Sequence, residues 1–368
     1  MDTQKAREEV VAAGRLLVET GLIARTWGNV SCRIDDSRFA ITPSGMYYET
    51  LEPGDIVIVQ TADLSYEGDI KPSSEMGVHA EVYMQKPDAH FVIHTHQANA
   101  SVAGVLGRDI DIQDPANKDV IGERAVLAGY GLPGTKKLRG NVAEALGRTD
   151  GRAVLMAHHG ALCYGAGRGE AFAVAQALED ECRRCLVPVD KDQPTITIYN
   201  SRREGDTCII ETPDGAVSIG LDGDVPGDLP PQARLHQAIY RARRDITVIQ
   251  GAQTPYTVAA SRECVKVKPL LDDFAQIVGV SVSAIEKDAD AKGAVRALKG
   301  RNALLVRGLG ALCCAGSRED ASAVAMVLEK GCMAHLSAAA RDALTPIAPI
   351  EGRLMRFVYQ QKYAKKAK

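Results

Sequence analysis

Apolar positions along the first half of the chain follow two different periods. Apolar residues recur every three to four positions within Lys5–Thr20, which predicts an amphipathic helix. Short continuous apolar runs at Asp55–Gln60, Phe91–Ile93 and Ala153–Ala157 predict buried strands. Helical patterns lie between these runs, and another extends over about Arg168–Leu186. Two of the strands end directly at histidines.

The first of these histidine motifs is His94-Thr95-His96, and the second is His158-His159. Side chains two residues apart in a strand share a face, which places His94 and His96 roughly 6–7 Å apart along it. Neutral imidazoles at that separation can bind one transition-metal ion if another ligand comes from elsewhere. Glu75, which precedes a helical pattern, is a nearby carboxylate in sequence. The sequence therefore favours a metal site over a chance histidine pair.

Three small, polar turns could surround an anion. They are Thr26–Ser31, Thr42–Gly45 and Lys71–Glu75, and the last opens a helix. Backbone amides and hydroxyls in such turns, and free amides at a helix start, favour phosphate. Each turn alone is weak evidence, because most glycine and serine turns are only turns.

Composition narrows the possible classes. The chain has 368 residues, of which 45% are hydrophobic and 25% charged, and its formal net charge is −3. This length suggests two domains, and the near-neutral charge gives no case for nucleic acid or an anionic membrane. No apolar run reaches the roughly 18–20 residues that span a bilayer, and the first twenty residues are not signal-like. Nine cysteines without framework spacing indicate reduced thiols and a cytoplasmic protein; the Cys182/Cys185 pair is more consistent with two packed thiols than with a redox or zinc motif.

Taken in order, the turns and both histidine motifs resemble the class II aldolase/adducin family over about residues 5–190. The resemblance implies a three-layer α/β/α domain that acts on a small phosphorylated ketose. It implies zinc, or another divalent metal, held by His94, His96 and His159, with Glu75 as a fourth ligand at rest and as acid/base during turnover. His158 would pack beside the site. The residues implied to hold the substrate phosphate are Thr26, Gly28, Asn29, Ser44, Gly45, Ser73 and Ser74.

The chain departs from this family in one respect. The family's aldolases use a tyrosine from a neighbouring subunit, in the stretch after the His-x-His helix, to protonate the leaving aldehyde. Residues 108–126 contain no tyrosine, and Tyr130 belongs to a later turn. Another residue, such as Asp114, Tyr359 or Tyr363, could take the role, or the substrate and reaction differ.

The second half of the chain repeats the first. Gly310–Cys313 echoes Gly160–Cys163 at an offset of 150, and Leu235–Tyr240 echoes Val78–Tyr83 at an offset of 157. Asp206–Asp214 is aligned with Asp55–Asp63, so nothing before Asp55 is expected to have a counterpart. This alignment replaces Ser73, Ser74 and Glu75 by Pro230, Pro231 and Gln232, and it replaces His94, His96 and His159 by Gln250, Ala252 and Leu309.

These replacements predict that the second copy has lost the metal chemistry. We expect a catalytic domain over 1–190, a degenerate copy of the same fold over 191–345 and a basic tail over 346–368. Because class II aldolase sites lie at subunit boundaries around a four-fold axis, a tandem chain could supply its own neighbour. The expected assembly is a homo-oligomer, in which two tandem chains could mimic a tetramer; an inert second domain is the alternative.

The sequence thus predicts a zinc-dependent aldehyde-lyase, with C–C cleavage or formation through a metal-stabilised enolate. Dehydratase, decarboxylase or epimerase chemistry at the same site is the first alternative, although the family's epimerases carry Asp where Glu75 stands. The second alternative is an adducin-like interaction protein. It is disfavoured because the first half keeps all three histidines.

Overall fold

The computed structural model describes residues 1–22, 27–192, 194–227, 229, 232–263 and 265–362. Its contacts divide the chain into two compact units, Met1–Leu186 and Val187–Lys368. None of the helices in these ranges combines the length and the apolar character that crossing a membrane requires.

The first unit is a mixed sheet flanked by helices. Within the described residues its eight strands lie in the order β3-β2-β1-β4-β8-β7-β6-β5, antiparallel except for the pair β6–β7. The strands are β1 (Asn29–Arg33), β2 (Arg38–Ile41), β3 (Val57–Gln60), β4 (Phe91–Thr95), β5 (Ile110–Asp111), β6 (Arg124–Ala128), β7 (Ala153–Met156) and β8 (Gly160–Gly165). The helices are α1 (Thr3–Glu19), α2 (Met76–Gln85), α3 (Ala98–Gly104), α4 (Pro115–Ile121), α5 (Lys136–Gly147) and α6 (Arg168–Cys182).

Helix α1 shows how the apolar pattern becomes structure. The Asp2 side chain accepts a hydrogen bond from the Lys5 amide at the start of the helix, and the chain leaves it at Gly21, whose φ of +69° suits only glycine without strain. The apolar positions at the spacing seen in the sequence are buried. They include Ala6, Val10, Ala13 and Leu17.

Strand β4 positions the first histidine of the predicted metal site, because alternate side chains of a strand lie on the same face. Val92 packs with the cores of α2 and α5, and His94, two residues on, lies on the same face. The strand ends at Thr95, so that His96 follows directly in the loop before α3. The first half of the predicted metal site therefore lies at a strand end, next to the start of α2.

The second unit repeats this architecture with a smaller sheet. The seven strands that the structure describes here lie in the order β11-β10-β9-β12-β15-β14-β13. They are β9 (Asn200–Glu204), β10 (Thr207–Thr212), β11 (Gly215–Gly220), β12 (Val248–Ala252), β13 (Ala284–Ile285), β14 (Ala303–Val306) and β15 (Gly310–Ala315). The helices are α7 (Gln232–Ala242), α8 (Pro255–Arg262), α9 (Ala291–Ala297), α10 (Arg318–Ala339) and α11 (Pro349–Lys362), and a π-helix spans Phe274–Val278.

The repeat is more complete than the sequence predicted. Strands β9, β10 and β11 occupy the sheet positions of β1, β2 and β3, so the expectation that nothing before Asp55 has a counterpart is wrong. The alignment of Asp206–Asp214 with Asp55–Asp63 is wrong for the same reason. A two-residue turn joins β10 to β11, whereas the long loop between β2 and β3 carries Thr42–Gly45. Because this loop is shorter in the second unit, the sequence did not reveal the equivalence of β10 with β2. The shorter loop also has no counterpart of the Thr42–Gly45 turn.

Strand pairing also corrects the register of the lost ligands. In the first unit Ile93 pairs with Cys163 and His94 with Leu162, whereas in the second Gln250 pairs with Cys313 and Gly251 with Leu312. His94 and His96 therefore correspond to Gly251 and Gln253, rather than to Gln250 and Ala252. A slip of one residue moves every side chain to the other face of a sheet, so the distinction matters.

The residues at the corrected positions in the second unit cannot form a three-histidine metal site. A Cβ at Gly251 would lie 2.5 Å from the Ile198 carbonyl oxygen, so no histidine fits there. The Gln253 side chain donates to the Ile196 and Leu309 carbonyls and accepts from the Ile198 amide. Leu309 stands where His159 does, as the sequence predicted.

The described part of the predicted basic tail includes helix α11, which is partly buried. Helix α11 packs against the π-helix, and Arg356 is 8% exposed and donates to the Gln276 and Ile277 carbonyls. Tyr359 lies in this helix, whereas Tyr363 falls outside the described residues. The eight cysteines within the described ranges are buried thiols that form no disulfide, including Cys182 and Cys185.

Candidate metal centre and active site

Three imidazoles meet where two chain segments end on the sheet. His94 is the fourth residue of β4, His96 follows it, and His159 comes from the hairpin between β7 and β8. Their ligand atoms all lie within 4.8 Å of one another. His94 and His159 are 0% and 3% exposed, and their rings stack with centroids 4.8 Å apart. The structure thus brings together the three histidines that the sequence singled out.

The tautomer of His94 suits a metal ligand. Its Nδ1 lies 2.9 Å from the Ala161 carbonyl oxygen and must donate to it, because a carbonyl only accepts. Nε2 is then the ring nitrogen that faces the cluster, and it lies 3.0 Å from Nε2 of His96. Two imidazole nitrogens so close need a cation or a proton between them, and three imidazoles are a common zinc donor set. The residues present fit a divalent transition metal.

Glu75 closes the cluster from the side of α2. Its two oxygens lie 2.9 Å from His159 Nε2 and 3.2 Å from His94 Nε2. Burial by itself would raise the pKa of Glu75, but interaction with His159 and then with His94 outweighs it and holds the pKa well below its usual value. The carboxylate is therefore ionised and in position either to complete a ligand set or to accept a proton.

The hairpin that delivers His159 is strained at the preceding residue. His158 has a φ of +62°, in the left-handed region that non-glycine residues rarely adopt. The second unit has Gly308 at this position, with a φ of +70°. The Tyr130 ring meets His158 edge-on with centroids 5.2 Å apart. The sequence predicted His158 to pack beside the site; its contact with Tyr130 was not foreseen, because nothing in the sequence links residues 28 positions apart.

Two of the anion turns lie side by side. An isolated bridge joins Pro43 to Pro72, the Ser44 amide donates to the Lys71 carbonyl, and the Ser73 amide donates to the Thr42 carbonyl. Ser73 is buried and its hydroxyl accepts from the Glu75 amide, whereas Ser74 is exposed. These contacts connect the two turns to each other and to the backbone of Glu75.

The remaining phosphate candidates are placed differently. Gly28 has a φ of +110°, and its carbonyl accepts from the Tyr48 hydroxyl. Gly45, with a φ of +75°, ends its turn beside Ser44. Asn29 is 4% exposed and its side chain is engaged with Glu75 and His79, so only its backbone is available to a phosphate. Thr26 lies outside the described residues.

Of the residues considered in place of the missing tyrosine, Asp114 has a local structural role. The Asp114 carboxylate accepts from the Ala116 and Asn117 amides and caps α4. Tyr359 belongs to the second unit. The structure therefore assigns no residue to that role.

Comparison with protein families identifies the architecture. The family described as "Class II Aldolase and Adducin N-terminal domain" matches residues 8–186 and 203–336. Both units are therefore copies of one family domain, as the repeat in the sequence predicted.

Characterised relatives match about half of the chain. A 5-deoxy-D-ribulose 1-phosphate aldolase of Bacillus thuringiensis serovar kurstaki is 36% identical over 180 residues, which are 48% of this chain and 82% of the relative. An L-fuculose phosphate aldolase of Escherichia coli O6:H1 is 31% identical over 179 residues, 49% of this chain and 81% of the relative. A methylthioribulose-1-phosphate dehydratase of Methylococcus capsulatus is 32% identical over 183 residues, 46% of this chain and 88% of the relative.

Proposed function

The chain belongs to the class II aldolase and adducin family, and from that premise we propose that it is a zinc-dependent lyase. The proposed reaction cleaves, or in reverse forms, a C–C bond of a small phosphorylated ketose. The observation that carries the proposal is the convergence of His94, His96 and His159 on one point with Glu75 against them. Relatives named as sugar-phosphate aldolases support the substrate class.

The metal would be held by the three imidazoles, with Glu75 as a further ligand before substrate binds. When bound, it would act as a Lewis acid on the negative charge that develops at the substrate carbonyl as the bond breaks. Cleavage leaves the electron pair of the bond on the carbon beside that carbonyl, and this carbon must then gain a proton. The hydroxyl that becomes the aldehyde carbonyl loses a proton in the same reaction. We assign the transfer of that proton to Glu75, because an ionised carboxylate in contact with two of the imidazoles can first accept it and then donate it to the carbon.

The substrate phosphate would lie in the paired turns. The expected contacts are the hydroxyls of Ser44, Ser73 and Ser74 and the backbone of Gly28, Asn29 and Gly45. Because the Ser73 hydroxyl also binds the Glu75 amide, a phosphate in these turns is fixed relative to the carboxylate. Such anchoring orients the reacting carbons at small entropic cost during the reaction. Thr26 is a further phosphate candidate by the same family resemblance.

Metal content of the purified protein is the first test. We expect about one zinc per wild-type chain, because the second unit has Gly251, Gln253 and Leu309 at the ligand positions. His94→Ala should lose most of it. The matched control is His90→Ala, four residues upstream and exposed, which should keep the metal. A metal-reconstituted wild type that binds none would end the enzyme proposal and favour the interaction-protein alternative.

A screen of ketose 1-phosphates for release of dihydroxyacetone phosphate then tests the reaction. Glu75→Gln keeps the shape but removes the base, and we expect it to lower kcat by about 10²–10⁴-fold, the usual worth of a general acid/base. Wild-type turnover in Glu75→Gln would rule out the assigned role.

A dehydratase is the second candidate. Residues 108–126 lack the expected tyrosine, and one relative is named as a methylthioribulose-1-phosphate dehydratase. Such a reaction would release water from the same substrate class without C–C cleavage. Mass spectrometry of the products separates the two, since only the lyase yields two shorter carbon skeletons.

We further propose that the chain acts as a homo-oligomer. In a dimer, the tandem copies would stand in for four subunits. Light scattering at several protein concentrations tests this. A monomer that retains full activity would contradict it.

A further inference from the structure

A row of buried polar side chains lies behind the metal cluster and ends at the catalytic carboxylate. The Tyr83 and Ser31 hydroxyl oxygens lie 2.7 Å apart, and Ser31 Oγ lies 2.7 Å from His79 Nδ1. His79 Nε2 is in hydrogen-bond contact with Asn29 Oδ1, and Asn29 Nδ2 donates to Glu75 Oε2 over 3.3 Å. All five residues are at most 7% exposed.

The chemistry of the ends fixes the direction of every hydrogen bond in this row. A carboxylate only accepts, so Asn29 must turn its NH₂ group to Glu75 and its carbonyl oxygen to His79. That oxygen also only accepts, so His79 must carry its proton on Nε2. Burial lowers the pKa of His79 to about 3, so the ring is neutral and its Nδ1 accepts from Ser31. The Ser31 oxygen is then left to accept from Tyr83.

Comparison with the second unit shows which hydrogen bonds of this row occur without the metal ligands. Ser201, His236 and Tyr240 repeat the trio, with 2.8 Å between Ser201 Oγ and each of its two partners. The strand register places Tyr199 where Asn29 stands, and Gln232 replaces Glu75. His236 Nε2 accordingly has no hydrogen-bond partner among the described residues. The trio persists without the metal ligands, so it belongs to the fold, and the connection through Asn29 belongs to the site.

We propose that His79 is a positioning residue for the reaction, acting through Asn29 on Glu75. Its Nε2–H holds the Asn29 carboxamide in the orientation that presents NH₂ to the carboxylate. Without that donor the amide can turn over, and its oxygen would then face the carboxylate and repel it. Glu75 would lose its fixed distance to His94 and His159. This inference rests on the proposed function, because it assumes that Glu75 acts at a metal held by the three histidines.

Two substitutions of His79 test its two ring nitrogens separately. His79→Gln places an amide NH₂ near the position of Nε2 and can still donate to Asn29, whereas His79→Asn reaches only the position of Nδ1. His236→Asn is the matched control, because it disrupts the same trio in the unit without a metal site. Each full-length variant is loaded with Co²⁺ and compared with the wild type by visible absorption, Co²⁺ affinity, thermal unfolding, and kcat and KM on the ketose phosphate found in the screen.

We expect His79→Asn to lower kcat by about 10–100-fold with KM changed less than about threefold, as is usual for residues that orient a metal site. Its Co²⁺ spectrum should shift, because the carboxylate no longer holds its place. His79→Gln should keep kcat within about fivefold of the wild type, and His236→Asn should keep both kcat and the spectrum despite a lower unfolding temperature.

A wild-type spectrum and kcat in His79→Asn would overturn the inference. Equal losses in His79→Asn and His79→Gln, or a loss in His236→Asn as large as in His79→Asn, would also overturn it. A wild-type protein that binds no Co²⁺ would overturn the proposed function together with the inference. Wild-type binding with unaffected His79 variants would leave the proposed function standing.

Discussion

Gly160, the first residue of β8, tests how closely the backbone supports the metal cluster. A Cβ at this position would lie 2.2 Å from the Thr95 carbonyl oxygen and 3.2 Å from Cε1 of His94. Since real Cβ atoms stay at least about 3.0 Å from such atoms, Gly160→Ala must separate β4 from β8 by about 0.8 Å. Metal–ligand distances tolerate only about 0.2 Å.

The expected result is loss of metal affinity with a moderate loss of stability. The same movement lengthens the 2.9 Å bond from His94 Nδ1 to the Ala161 carbonyl, and loss of such an orienting bond weakens metal binding by about 10–100-fold. Overpacking of this kind lowers the free energy of unfolding by about 1–3 kcal/mol. Competition with a chromophoric chelator measures the affinity, and urea denaturation of the metal-free protein measures the stability.

The chain supplies a control for this prediction in Gly310, the corresponding residue of β15. A Cβ there would lie 2.3 Å from the Ala252 carbonyl oxygen, and the φ of +128° adds strain. Gly310→Ala should therefore destabilise its unit at least as much as Gly160→Ala does, without change in metal affinity. Wild-type affinity in Gly160→Ala, or equal losses of affinity in both variants, would refute the reasoning.

Three further predictions concern stability and reactivity. Burial lowers the pKa of His236 from 6.5 to about 4, so between these pH values the unfolded chain binds a proton that the native state does not. The contribution of neutral His236 to the free energy of unfolding is therefore complete above about pH 6.5 and falls with decreasing pH, by roughly 2 kcal/mol at pH 5. His236→Asn should remove this part of the pH dependence of stability, as measured by urea denaturation. Gly331→Ala would place a Cβ 2.2 Å from the buried Phe274 ring and should lower the free energy of unfolding by about 1–3 kcal/mol. The control Gly169→Ala on α6, with open space around it, should be neutral or stabilising, and the opposite order would contradict the packing argument. Iodoacetamide should leave the eight cysteines within the described ranges unmodified in the folded protein, because they are buried. Mass spectrometry that finds rapid labelling of any of these eight would contradict this.

The sequence alone determined the family architecture, the repeat and the three histidines that could hold a metal ion. Period and spacing were enough for this, since helix α1 and strand β4 bury the faces that their apolar residues predict. The three histidines were identifiable because each closes an apolar run, and because the order of five motifs is specific. The alignment of the two halves was wrong where loops changed length, so the sequence missed the equivalence of β9 with β1. It also misplaced the register of β12 by one residue, because a five-residue strand with few distinctive side chains can be aligned in two ways.

Only the tertiary structure decided what surrounds the carboxylate. Asn29 was expected to hold phosphate, but its side chain joins Glu75 to His79, residues 46 and 50 positions away in the chain. Such contacts depend on which strand lies beside which helix, and no local pattern records them. The left-handed turn at His158 and its contact with Tyr130 are of the same kind. The sequence thus determined which side chains the candidate site contains, whereas the packing of β1 against α2 and β4 determined which atoms orient Glu75, because hydrogen-bond direction is fixed by partners that the fold brings together.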